Sequence, residues 1–410
     1  MQAIPDGSLS ELFALRSFVR FWLARLCGTT SLQMLMVALA WHMYDITSSA
    51  WDLGLVGLFQ FVPALLLTLP AGHLADRVHR GHIFSVCMAM QAIAALLLLL
   101  AVHFEFANRE LILGISVLLG ITRAFQMPAQ QALTPQLVPT AMLQRALTLS
   151  SSAMQVAVIC GPALGGLLYG AGPATVYASS AALLVVAAAL ALLVRYQHVP
   201  AQGSASWSSV LAGVGFVWRH KVILGATSLD LFAVLLGGAT ALLPIFARDM
   251  LQTGPLGLGM LRSAPAVGAL VTSLILVRWP LQRQVGKKLL IAVAVFGLAT
   301  LVFGLSRSFS LSLVALFVTG AADSISVVTR STLVQLETPN EMRGRVSAVN
   351  SIFIGASNQL GEFESGAVAA AWGPVISVVS GGIGTMLVAA AWLKLFPDLA
   401  RRDRLHSDHS

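Results

Sequence analysis

Twelve predominantly apolar stretches recur along this 410-residue chain, near 18–44, 51–75, 82–103, 110–134, 143–170, 174–195, 221–247, 256–278, 287–305, 309–335, 344–370 and 374–396. Each comes close to or exceeds the roughly 20 residues a helix needs to cross a hydrocarbon core. Backbone amides and carbonyls inside a bilayer must be satisfied within the segment itself, which leaves helices or a closed barrel. Continuous apolar runs of this length select helices. The expected fold class is therefore an all-α membrane protein with twelve transmembrane helices, and a mean hydropathy of +0.82 excludes a soluble globule.

The cations set an orientation. If the N-terminus is cytoplasmic, Arg77, Arg80, Arg145, Arg195, Arg219, Lys221, Arg278, Arg283, Lys287, Lys288, Arg343, Arg345 and the basic tail all fall on the cytoplasmic side. Arg109, Arg248 and Arg307 fall opposite. This bias predicts that both termini are cytoplasmic. It accounts for the net charge of +8 as topology, so that charge lends no support to nucleic-acid binding. Cys27, Cys87 and Cys160 lie in apolar spans without metal-ligand spacing and read as packing residues. Histidines scattered over loops, span ends and tail offer neither a metal site nor a nucleophile–base pair, so no enzyme is expected. The first span is too long for a signal segment and is retained as a helix. Trp41, Tyr44, Trp51 and Trp279, near span ends, read as members of the interfacial belts.

The chain repeats itself. A shift of 200 residues sets Leu133 on Leu333, Pro139 on Pro339, Met142 on Met342, Arg145 on Arg345, Ser151 on Ser351, Gly161 on Gly361 and Gly166 on Gly366. Six spans per copy, an even number, keep the copies in one orientation, as parallel repeats. The expected organisation is an N-terminal six-helix bundle over 1–195 and a cytoplasmic linker over 196–220. A C-terminal bundle with its tail then occupies 221–410. The linker holds Gln202–Ser206 and an interfacial helix near Trp207–His220.

Five segments carry a resemblance. Gly72-His73-Leu74-Ala75-Asp76-Arg77-Val78-His79-Arg80-Gly81, after the second span, resembles the loop signature of the major facilitator superfamily, with His79 departing from the usual pattern. In physical terms Gly72 would let helices approach, Asp76 would accept hydrogen bonds from a facing helix end, and Arg77 and Arg80 would hold the loop at the anionic leaflet. Gly161-Pro162-Ala163-Leu164-Gly165-Gly166 in the fifth span is similar to the motif of the superfamily's proton-coupled exporters; it reads either as a gate or as a packing kink. Phe18–Thr47, Leu242–Ala247 and Thr338–Val346 resemble the enterobactin-exporter-like branch of bacterial drug and siderophore exporters. The resemblance implies outward transport of small amphipathic molecules across the bacterial inner membrane, driven by a proton gradient without a cofactor. The protein is expected to work as a monomer, with the bilayer and a small-molecule substrate as its partners. A proton-independent lipid or lysolipid flipping protein of the same fold is the alternative.

Charges within the spans are the remaining candidates, because an ionisable group at bilayer depth costs roughly 3 kcal/mol on insertion scales. Arg123, Asp230, Asp323, Arg330, Glu362 and Glu364 are the proton-coupling candidates. The resemblance ties Arg123 to proton transfer and to Asp76; a buried helix-joining role is the alternative. Asp323 sits at the position equivalent to Arg123 in the other half, with Arg330 two turns on, which points to a polar network. Glu362 and Glu364, two residues apart, cannot share a helix face. Arg25, Gln33, Arg262, Asn358 and Gln359 are candidates for contact with cargo. Arg262 either attracts an anionic group or neutralises a glutamate of the eleventh span, the second being favoured because unpaired buried charge is the costlier arrangement. The loop signature makes one prediction by itself: Asp76→Asn should slow transport while leaving cargo binding nearly unchanged, a split visible when binding and proteoliposome flux are measured on the same preparation.

Overall fold

A computed structural model describes residues 9–196, 207–279, 283–339 and 341–403, and every regular element among them is helical. The first six long helices are α1 (Arg16–Thr47), α2 (Ala50–Arg77), α3 (Arg80–His103), α4 (Arg109–Leu137), α5 (Leu143–Gly170) and α6 (Pro173–Leu192). The next is the interrupted span α7 (Lys221–Met250). It is followed by α8 (Gly254–Arg278), α9 (Val285–Leu305), α10 (Phe309–Glu337), α11 (Arg343–Trp372) and α12 (Pro374–Leu395). All of these except α11 are apolar enough over a continuous window to read as spans by composition alone. α11 is long enough, but Asn350, Ser351, Asn358, Gln359, Glu362 and Glu364 dilute its apolar content.

Contacts group the chain into two compact units. One comprises residues 1–42 and 62–205, the other 43–61 and 206–410, with the boundary crossing α1 and α2. In the first unit α3 packs on α4 and α6, and in the second α9 packs on the equivalent α10 and α12. The repeat is also visible at atomic scale. A Cβ added to Gly161 of α5 would lie 2.6 Å from Gln33 Cβ and 3.2 Å from Thr30 O of α1. A Cβ added to Gly361 of α11 would lie 2.8 Å from both Val234 O and Leu235 O of α7. Equivalent glycines thus bring equivalent helix pairs into backbone contact. Gly165 continues the first seam, its hypothetical Cβ falling 2.8 Å from Met34 Cα. In hydrocarbon there is no hydrophobic drive between helices, so such close approach supplies the dispersion energy that holds them.

α7 is irregular for a local reason. Its first segment, Lys221–Leu236, stops at Gly237–Gly238, the weakest helix-forming pair in the span. A 3-10 turn over Ala239–Leu242 follows, then Pro244, which has no amide proton to donate, and a π-turn over Phe246–Met250. Any side chain at Gly238 would overlap the Gly361 carbonyl, so the break is held against α11.

A short helix, Trp207–Arg219, precedes α7. Its Val217 is buried with Ile223, Val346 and Val349, while Leu211 and Trp218 are exposed. The proposed linker residues Gln202–Ser206 lie outside the described residues. At the other end of this unit, Pro397–Ala400 forms one helical turn after α12. Beyond it Arg402 O accepts from Gly286 N–H at 3.0 Å and Asp403 O from Val285 N–H at 3.3 Å, capping the start of α9. Arg402 also pairs with Glu337 at the end of α10.

Several sequence expectations change. The superfamily-like loop signature is mostly helix: α2 runs to Arg77, leaving Val78 and His79 as the connection to α3. The last turn persists because Ala75 packs against Ile83, Cys87 and Ala129. Trp41 and Tyr44 are buried, not placed in a belt: Trp41 meets Tyr169 edge-on and Tyr44 donates to Asp249. Trp51 and Trp279 are exposed. Cys160 is exposed as well, unlike the buried Cys87, so it is not a packing residue.

Gly165→Ala should therefore destabilise the protein by about 1–3 kcal/mol through overpacking. Gly114→Ala, in open space on α4, should be neutral or stabilising by up to about 1 kcal/mol. Thermal unfolding of the two variants in one detergent checks the contrast.

Candidate functional site

The second unit gathers its intramembrane charges around α7 and α10. Asp230 of α7 and Arg330 of α10 form an ion pair at 3.1 Å, with side chains 7% and 2% exposed. Arg330 also donates from Nη1 to Asn350 Oδ1 of α11 at 2.8 Å, so one guanidinium links three helices. Asp323 lies about two turns before Arg330 on α10, where it interacts electrostatically with both Asp230 and Arg330. Its carboxylate makes no hydrogen bond or direct ion pair among the described residues.

Arg262 of α8 and Glu362 of α11 form a second electrostatic pair. The Glu362 carboxylate rests on the bare backbone of Gly57 in α2, where an added Cβ would sit 2.9 Å from Oε2. Glu364 accepts instead from Ser365 Oγ at 3.4 Å, so the two glutamates serve different neighbours. Gln359 is half-buried one turn away from Glu362, and the Asn358 side chain donates to Ile354 O at 2.8 Å.

The remaining sequence-predicted residues belong to the first unit. Arg123 is exposed. Arg25 lies over the Phe21 ring at 5.7 Å and lines a water-sized gap with Ser150 and Met154. Gln33 abuts Gly161. Pro162, Gly165 and Gly166 are buried in α5. Among the described residues a Cβ on Gly72 would meet nothing within 4 Å. Arg80 does not face a lipid surface: it is buried, its Nε donating to Ala75 O at 3.1 Å, and its amide donates to the Tyr196 hydroxyl at 2.8 Å. Burial raises the Tyr196 phenol above its ordinary pKa, partly offset by that amide. Arg77 is exposed and the side chain of Asp76 lies outside the described residues.

Two clusters escaped sequence reasoning. In the second unit Arg248 pairs with Asp45 at 3.0 Å and lies over the Tyr44 ring at 5.6 Å, while Tyr44 donates to Asp249. Arg248 was one of the few arginines on the weakly basic side, which was the available signal. In the first unit His42 is buried and shares a hydrogen bond of 2.9 Å with the Tyr177 hydroxyl. Nothing in the spacing of residues 42 and 177 announces that pair. Among the described residues no three His, Cys, Asp or Glu side chains are arranged to hold a metal ion.

Residues 9–409 match the transmembrane secretion effector family. The chain belongs to that family, within the major facilitator superfamily. This transporter is 25% identical to the enterobactin exporter EntS of Escherichia coli O1:K1 over 398 residues, 96% of this chain and 95% of the relative. It is also 25% identical to EntS of Shigella boydii serotype 18 over 396 residues, with the same coverage of each chain. Its fold is similar to a mutant of the nucleoside transporter NupG, with a TM-score of 0.76 and 13% identity over 93% of this chain and 100% of that one. A bacterial homologue of the human lysosomal transporter Spinster, in an inward-facing and occupied conformation, matches with a TM-score of 0.68 and 15% identity, over 94% and 95% of the two chains. Transporters, not enzymes, surround the chain in both comparisons, and it is a multi-pass membrane protein.

The Asp230–Arg330 pair yields a stability prediction. Arg330→Gln leaves Asp230 buried without its cation and should cost about 3–5 kcal/mol. Adding Asp230→Asn to that variant should restore part of the loss, measured as a rise in unfolding temperature of the double over the single variant.

Proposed function

We propose that this transporter exports small amphipathic molecules across the bacterial inner membrane by alternating access, coupled to inward proton movement. The distribution of lysine and arginine supports a cytoplasmic position for both termini. The observation that carries the coupling is the Asp230–Arg330 pair with Asp323 beside it: two acids share one arginine at bilayer depth. Such an arrangement holds one more acid than it can neutralise by a direct pair. A proton taken up by Asp323 would remove the excess charge, and its release on the opposite side would complete a cycle. The exporter direction is supported by the relatives named as enterobactin exporters and by the glycine seam of α5 against α1.

Arg262 and Glu362, which interact electrostatically between α8 and α11, are coupling candidates of lower rank. Asp76, Arg77 and Arg80 are assigned to the cytoplasmic gate.

Proteoliposomes test the reading. Asp323→Asn should abolish cargo accumulation driven by an imposed pH gradient and retain gradient-independent exchange of cargo for cargo. Gradient-driven accumulation surviving in Asp323→Asn, Asp230→Asn, Glu362→Gln and Glu364→Gln alike would remove proton coupling through these acids. Activity on lysolipids with no pH dependence would put the flipping alternative in its place.

A further inference from the structure

A cavity of about 170 Å³ opens within the second unit, lined by residues of α7, α8, α9, α10 and α11. The break in α7 contributes Gly237 and Gly238 to its wall. Its lining includes the apolar Phe296, Phe303 and Leu316 and the polar Thr300, Thr319 and Asn358. Asp323 is the one ionisable residue among those lining it. An engineered apolar cavity of about 150 Å³ admits benzene, so this volume accepts one aromatic or alicyclic body of similar size.

The charge balance selects what that body must carry. Asp323 has no hydrogen bond or direct ion pair among the described residues, whereas Arg330 is committed to Asp230 at 3.1 Å and to Asn350 at 2.8 Å. A second gap of about 10 Å³ shares Val234, Phe296 and Asp323 with the cavity and reaches Asp230 and Ser326. It is the size of one water, too small for a cationic side chain. Within the cavity itself the carboxylate meets only neutral groups. A carboxylate facing an apolar-walled space is costly until a cation reaches it. An anionic group would meet repulsion from Asp323 instead, and the arginine of α8 is not among the residues lining the cavity.

We propose that this cavity is the binding site for a protonated amine carried on a compact apolar body, with Asp323 as its counter-ion. The cargo class is then an amphipathic organic cation, or a larger molecule that presents such an end. This inference rests on the exporter reading and specifies its substrate.

Purified full-length protein in nanodiscs, titrated calorimetrically with 2-phenylethylammonium, 2-phenylethanol and 3-phenylpropanoate, separates charge from shape. The amine is expected to bind at least tenfold more tightly than the alcohol, with the carboxylate weakest. Asp323→Asn should bring the amine to the affinity of the alcohol, whose own affinity is retained and reports an intact cavity. Thr319→Leu, which fills the space, should weaken amine and alcohol together. Equal binding of amine and alcohol by the unaltered protein, or a carboxylate that binds as well as the amine, overturns the proposal without reliance on any variant. Failure here is distinct from failure of the exporter reading: export of cargo with no preference for the amine removes only the cationic site. Selective amine binding with no transport of any cargo supports the site and removes the exporter.

Discussion

The hydrocarbon offers no partner for a backbone amide or carbonyl, and the architecture follows from that restriction. Each span closes its own hydrogen bonds as a helix, so helix association has to rest on packing and on a few side-chain contacts. The glycines of α5 and α11 answer the first need. By removing the side chain at Gly161, Gly165 and Gly361 they let the backbones of α1 and α7 come within van der Waals reach. The one span that departs from regular helix, α7, does so where two adjacent glycines and a proline weaken it, and the departure is covered by α11. Irregular backbone at membrane depth is tolerated where protein or a cavity surrounds it, and here both do.

Charge is used with similar economy. Only 10% of the residues are charged, and most lie at helix ends or in connections. In the second unit Asp230 is held at depth by its ion pair with Arg330, and Arg262 and Glu362 interact electrostatically between α8 and α11, which lowers the cost of keeping them there. Asp323 stands apart from direct pairing and faces open space. An unpaired acid beside a neutralised one is a chemical difference that a proton or a cation can report on, whereas two satisfied pairs would be structural alone. Asp323 and Asp230 both line one water-sized gap.

The helices were largely legible because long apolar runs and their charged interruptions are a one-dimensional signal. Eleven of the twelve also pass as spans by composition, and the exception, α11, is diluted by its own polar groups. The family was legible from the Gly72–Gly81 and Gly161–Gly166 segments. The partners were harder to read. Asp323 and Arg330 share one helix, yet the direct ion pair goes from Arg330 across to Asp230, a choice made by how α7 and α10 pack. Gly72 sits in a motif but, among the described residues, not in a contact, and Arg80 turns inward to Ala75 O, because the helix continues past the point where the sequence pattern implied a loop. Burial of Trp41 and Tyr44 escaped for the same reason: a belt position and a packed position look alike until the neighbouring helix is placed.

The strand of chain after α12 has a practical meaning. Its carbonyls at Arg402 and Asp403 complete the amide hydrogen bonds at the start of α9, and the Arg402 guanidinium ties it to α10. Residues that look like a disposable tail are thus part of the bundle. An affinity tag or fluorescent fusion has to begin beyond residue 403, and a protease site placed earlier would cut into a clasp that joins three helices.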